Sequence, residues 1–198
     1  MNRRIPLLPT AVVLAAVLVM IALGAWQLFW RAPAKDAALA RFEAAAGLPP
    51  VAWPDRPIAE RELPLFRRST GLCLQPVAAS VTAGRNRQGE SGYRHLVDCR
   101  TGAEGPGMRV DIGWSRNPTA GARWSGGPVS GVIAPDRQRG LRLVSDRGFG
   151  GLQPSAPPSP AEIPNNHRSY AVQWFLFAAS ALLIYGLALR ARNDKANA

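Results

Sequence analysis

Two histidines, two cysteines and a scatter of carboxylates are all that this 198-residue chain offers for metal binding or for activating a nucleophile. His167 stands in Asn165-Asn166-His167-Arg168-Ser169-Tyr170, at the start of a long uncharged stretch. Asn166 is a good helix N-cap, and a helix N-terminus disfavours positive charge, which leaves a neutral imidazole nitrogen able to bind a metal. On a helical projection His167, Tyr170, Ala171, Trp174, Ala178, Ala181 and Tyr185 share one face, aromatic near its beginning and small further along. A flat apolar ligand or a partner helix suits such a face. The plainer reading is that Asn166 and His167 only cap the helix at the headgroup level.

Cys73 and Cys99 are 26 positions apart and lack the local C-x-x-C spacing of a redox or metal motif. An oxidising compartment favours a disulfide between them, with reduced thiols or a copper-type metal pair as the alternatives. His95 falls on a strand-like alternation, where a satisfied core or edge residue is the ordinary role. With two histidines a three-histidine zinc site is impossible, and no serine-histidine-aspartate order or paired-carboxylate motif indicates hydrolysis. The weight of these residues is against hydrolase chemistry, and a protein that is not an enzyme is expected.

The elements that must position these groups lie at the two ends of the chain. Ile5 to Trp30 is uncharged for 26 residues and Ser169 to Leu189 for 21, each enough to span a hydrocarbon core of roughly 30 Å as a helix. The mean hydropathy of -0.06 averages over these spans and a polar middle. Arg3 and Arg4 precede the first span, while Arg190, Arg192 and Lys195 follow the second, so the positive-inside tendency puts residues 1–4 and 190–198 in the cytoplasm and 31–168 outside. Cleavage of a signal peptide at Ala32-Pro33-Ala34 is the competing reading, disfavoured by a run longer than the usual apolar core of about 7–15 residues. Gln27 and Gln173 lie at comparable depths near the outer ends of the two spans, where an interhelical hydrogen bond is reasonable.

The net charge of +11 raises the question of nucleic acid. The 19 Lys+Arg and 12 Asp+Glu of residues 31–168 are scattered without an aromatic stacking motif, which reads as a solvated surface on an exported domain facing the lipid bilayer. Within that domain a short amphipathic helix is expected after Asp36 as its N-cap, with Leu39, Phe42 and Ala46 on one side. Tyr93 to Cys99 and Met108 to Trp114 alternate with period two, each reading as a strand with one buried face. Leu72–Val81, Val129–Ile133 and Leu141–Val144 are weaker strands, with turns expected at Ala83-Gly84, Gly105-Pro106-Gly107 and Gly126-Gly127-Pro128. The expected fold is an α+β membrane protein: two transmembrane helices, 5–30 and 169–189, flank a β-rich domain built as an antiparallel sheet or partly open barrel. The Pro-rich strap 154–164 then returns the chain to the membrane.

Three groups of residues resemble one family. Asn165, Asn166, His167, Tyr170, Ala171, Trp174 and Phe175 fit the N-N-H-x-x-Y-A-x-x-W-F pattern of the Surfeit locus protein one family. Gly24, Trp26 and Gln27 fit its G-x-W-Q pattern, and Gly113-Trp114 ends its V-N-R-G-W strand motif. Val110-Asp111-Ile112 stands where that motif has Val-Asn-Arg, and Trp30 stands where an arginine is usual. The resemblance implies a bacterial inner-membrane assembly factor for cytochrome c oxidase that assists haem a insertion. Its implied partners are the catalytic subunit and the haem a synthesis enzymes. It also implies His167 as the haem-iron ligand, with a macrocycle able to lie against Tyr170 and Trp174 and propionates able to meet Arg168. A structural membrane protein that stabilises an oxidase subunit without haem is the alternative.

Overall fold

The first uncharged stretch is helical from Leu7 to Trp26 (α1), 20 residues or roughly 30 Å at 1.5 Å per residue. A π-helical turn, Gln27–Arg31, continues it directly into α2, Ala32–Ala45. Asp36 therefore does not cap a separate helix; it lies inside α2. Pro33 cannot donate a backbone hydrogen bond, and the widened turn just before it is where the ladder absorbs that loss without breaking. The computed structural model describes residues 6–59, 62–103, 105, 107–120 and 123–197. Residues 1–5, with the expected flank Arg3 and Arg4, and Pro106 of the expected Gly105–Gly107 turn lie outside that set, as does the side chain of Lys195.

The second uncharged stretch belongs to α3, His167–Asn197. Both helical segments, Leu7–Ala45 and Pro160–Asp194, contain runs long and apolar enough to cross a membrane. The chain divides into two compact units, Met1–Ala38 with Pro164–Ala198, and Leu39–Ile163. In the first unit α1 and α3 pack antiparallel. Gln27 meets His167 at one end, and the hydroxyls of Thr10 and Tyr185 meet at the other. Small residues make the approach possible: Val17 and Gly24 are buried from α1, Ala171 and Ala178 from α3. A Cβ on Gly24 would fall 2.7 Å from Cε1 of Phe175, so that ring needs glycine beneath it.

The second unit is a seven-stranded mixed sheet. Its strands are β1 (Val51–Ala52), β2 (Arg68–Cys73), β3 (Gln75–Arg85), β4 (Ser91–Arg100), β5 (Met108–Ser115), β6 (Gly127–Asp136) and β7 (Gly140–Ser145). The order is β1-β2-β6-β7-β5-β4-β3. The sheet is not wholly antiparallel: β1 runs parallel to β2, and β7 parallel to β5. No helical crossover is needed for the second pair because β6 itself carries the chain past, and its hairpin with β7 inserts next to β5. The expected single strand Leu72–Val81 is two strands with Leu74 between them as a corner. Ala83-Gly84 is not a turn but the end of β3, where a Cβ on Gly84 would fall 2.3 Å from Cγ of Arg94.

That corner bends the sheet round on itself. Although β6, β7 and β5 separate β2 from β4 in the sheet order, Cys73 and Cys99 are disulfide-bonded with their Cα atoms 5.2 Å apart. The core they border holds Val110, Ile112, Ile133 and Leu143, with Met108, Val129 and Leu141 around them. β5 is buried on both faces, not one, because Gln153 pairs with Trp114 and Ser155 with Asn86, so the start of the Pro-rich strap lies across the second face.

Candidate functional site

The mouth of the helix pair gathers five polar side chains from three elements. Gln27 opens the π-helical turn, Asp36 lies on α2, Asn165 and Arg168 flank the start of α3, and His167 is its first residue. Nδ1 of His167 is 2.7 Å from Oε1 of Gln27. An amide oxygen only accepts, so Nδ1 carries the hydrogen and donates, and in the neutral form of the ring the lone pair then lies on Nε2. Such an arrangement, one ring nitrogen hydrogen-bonded and the other open, is how a metal-binding histidine is usually oriented.

Asp36 holds the other side of the mouth. Its Oδ1 accepts from Nδ2 of Asn165 at 2.7 Å, and its Oδ2 pairs with Nη2 of Arg168 at 2.7 Å. Sequence reasoning missed this role, although Asp36 is the first carboxylate in the chain and the only one in its first 42 residues. Arg168 is 71% exposed, so its guanidinium remains open to a further anion.

Three expected placements are corrected. Gln27 and Gln173 do not form a helix-pair contact: Gln27 is bonded to His167, and Gln173 is exposed, since the buried stripe of α3 runs through Ala171 and Ala178. That same stripe is covered by α1 and is not free for a flat ligand, so the partner-helix reading of the projected face is satisfied within the chain. Tyr170 is 49% exposed and lies off the seam, whereas Trp174 is half-buried with its ring edge-on to Phe177 at 6.2 Å. What remains open at the mouth is Nε2 of His167, the Tyr170 ring and Arg168.

The β unit contains a second cluster that no sequence signal separated from a surface alternation. Asp111 is fully buried, its Oδ1 accepting from the Ser155 hydroxyl at 2.6 Å and the Gly113 N–H at 3.2 Å, while Oδ2 faces Arg94 Nε at 3.8 Å and has no hydrogen-bond partner among the described residues. Burial pushes its carboxyl up to about 6, against the opposing pull of Ser155 and Arg94. Arg109, also buried, forks onto Asp98 at 2.7 and 3.0 Å and reaches Asp136 at 3.2 Å; its hydrogen bonds hold the Asp98 carboxyl below its ordinary range. His95 is buried with Nε2 2.8 Å from the Ser115 hydroxyl, and burial lowers its pKa. Among the described residues no group of three or more His, Cys, Asp or Glu side chains could hold a metal ion.

A family model described as the SURF1 family matches residues 14–179, from within α1 to within α3. The chain belongs to the SURF1 family. All three motifs carrying the resemblance fall inside the matched span, and no curated protein matches the chain. Membership in the SURF1 family, a family known for an assembly factor, supports a general role in oxidase assembly. The two membrane-capable helices agree with a membrane protein.

Proposed function

We propose that this SURF1-family chain assists haem a on its way into the catalytic subunit of cytochrome c oxidase, offering Nε2 of His167 to the haem iron. The hydrogen bond from Nδ1 of His167 to Gln27 carries this reading, because it fixes the ring and its tautomer before any ligand arrives. Haem iron accepts a neutral imidazole as an axial ligand. Arg168 adds an exposed cation one residue away, suited to a propionate, and Asp36 holds that cation at the mouth in the meantime. No covalent bond of a substrate is made or broken by such a protein. The positive flanks of the spans support an inner-membrane location with both termini cytoplasmic and the β unit exported.

One observation favours a second reading, a structural protein that steadies an oxidase subunit without haem: α1 covers the small-residue stripe of α3. Purification in mild detergent from cells that make haem a, followed by haem extraction and identification of bound subunits, separates the two. The proposal expects haem a together with the catalytic subunit or the haem a synthesis enzymes. The catalytic subunit recovered at full yield without haem supports the second reading.

A further inference from the structure

The β unit has a cavity of about 1110 Å³, at or above the upper end of the roughly 300–1,000 Å³ usual for small-molecule sites. It opens among the ends of β4 and β5, the β6–β7 turn and the segment between β1 and β2. Trp53, Leu63, Leu65, Met108 and Leu141 give it apolar walls, and the indole N–H of Trp53 donates to the Gly107 carbonyl at 3.0 Å, tying one wall to the other.

Its charge is lopsided. Five arginines and two aspartates line it. Both carboxylates are already matched: Asp98 by Arg109 and Arg139, Asp136 by Arg109 and by the backbone N–H groups of Gln138 and Arg139. The guanidinium groups of Arg56, Arg100 and Arg137 have no partner among the described residues. An apolar hollow with unmatched cations is complementary to a molecule with an apolar body and an anionic head.

We propose that this cavity binds an acyl-chain anion with a carboxylate or phosphate head, its chain against Trp53, Leu65 and Met108 and its head on Arg100 and Arg137. The two membrane-capable helices make a bilayer the nearest abundant source of such a molecule. The site is separate from the His167 mouth and stands or falls without the haem reading.

The test uses the full chain in phosphatidylcholine nanodiscs with a photoreactive diazirine palmitate, the cross-links being mapped by proteolysis and mass spectrometry. Adducts are expected in the peptides covering 53–65 and 101–109, besides those in the membrane helices. Arg100→Gln with Arg137→Gln should lower labelling of those peptides at least fivefold, and Val77→Trp, which fills the cavity from the exposed β3 strand, should do the same. Labelling of the helices should stay constant, which shows that both variants are inserted, and the thermal midpoint of the disulfide-bonded β unit should stay within a few degrees of wild type, which shows that it is folded. Unlabelled palmitate or lysophosphatidate should compete, the stronger competitor identifying the head group. The proposal is overturned if the two peptides are unlabelled, if labelling ignores the arginine changes, if palmitoyl alcohol competes equally, or if only a porphyrin dicarboxylate displaces the probe.

Discussion

Asp111 shows how one side chain can invert its expected role. The sequence places it on the outward face of an alternating strand, yet the strap residue Ser155 comes from 44 positions away to cover it. Because its folded-state pKa of about 6 lies above the ordinary 3.8, its contribution to stability is complete below about pH 3.8 and is lost as pH rises through 6. The difference corresponds to roughly 3 kcal/mol. Chemical denaturation of wild type and Asp111→Asn between pH 4 and 7 should show the wild type losing stability relative to the variant as pH rises; parallel profiles would contradict this. Asp98, held low by Arg109, acts in the opposite sense, its contribution being present above its unfolded-state pKa and lost on acidification. The cysteine pair was legible because compartment constrains it, and the place of His167 at the start of α3 because its surroundings are local in sequence. The partners of Gln27 and Asp36 were not, because they lie 140 and 129 positions away in the chain, a pairing that no hydropathy pattern records.

At the scale of elements, hydrophobic runs and period-two alternation locate α1, α3, β4 and β5 well. The hidden features are those set by chain reversal: the corner at Leu74, the β6–β7 hairpin inserted beside β5, and the strap over β5. Each is a long-range pairing whose local residues look ordinary. The α1–α3 pair hinges on the Gly24–Phe175 contact, so Gly24→Leu should overpack the seam and destabilise it by about 1–3 kcal/mol. A lowered thermal midpoint in detergent checks this, and an unchanged one would refute the close packing. The Cys73–Cys99 bond joins β2 to β4 across the curl of the sheet and closes a 26-residue separation, a loop for which roughly 3–4 kcal/mol is expected. Reduction should lower the denaturation midpoint accordingly without disturbing α1 and α3.

The whole molecule is two devices on one chain, a helix pair with a polar mouth and a curled sheet with its own cavity. Antiparallel α1 and α3 put the two termini on one side of any membrane they cross. Single cysteines at position 2 and at Ala198 should therefore be labelled from one common side, the cytoplasmic one on the proposed orientation, and one at Gln88 from the opposite side only; labelling of positions 2 and 198 from different sides would defeat the two-span topology. The proposed haem site rests on one nitrogen. If Nε2 of His167 ligates haem iron and Gln27 orients the ring, the absorption spectrum of protein purified from haem a-making cells should change with each residue in its own way. His167→Ala should lose the bound-haem signature while remaining folded and inserted, and Gln27→Leu should retain the signature with weakened binding, on the order of tenfold to a hundredfold as for other orienting partners of metal-bound histidines. A His167→Ala protein carrying haem at wild-type content with an unchanged spectrum would contradict His167 as the iron ligand.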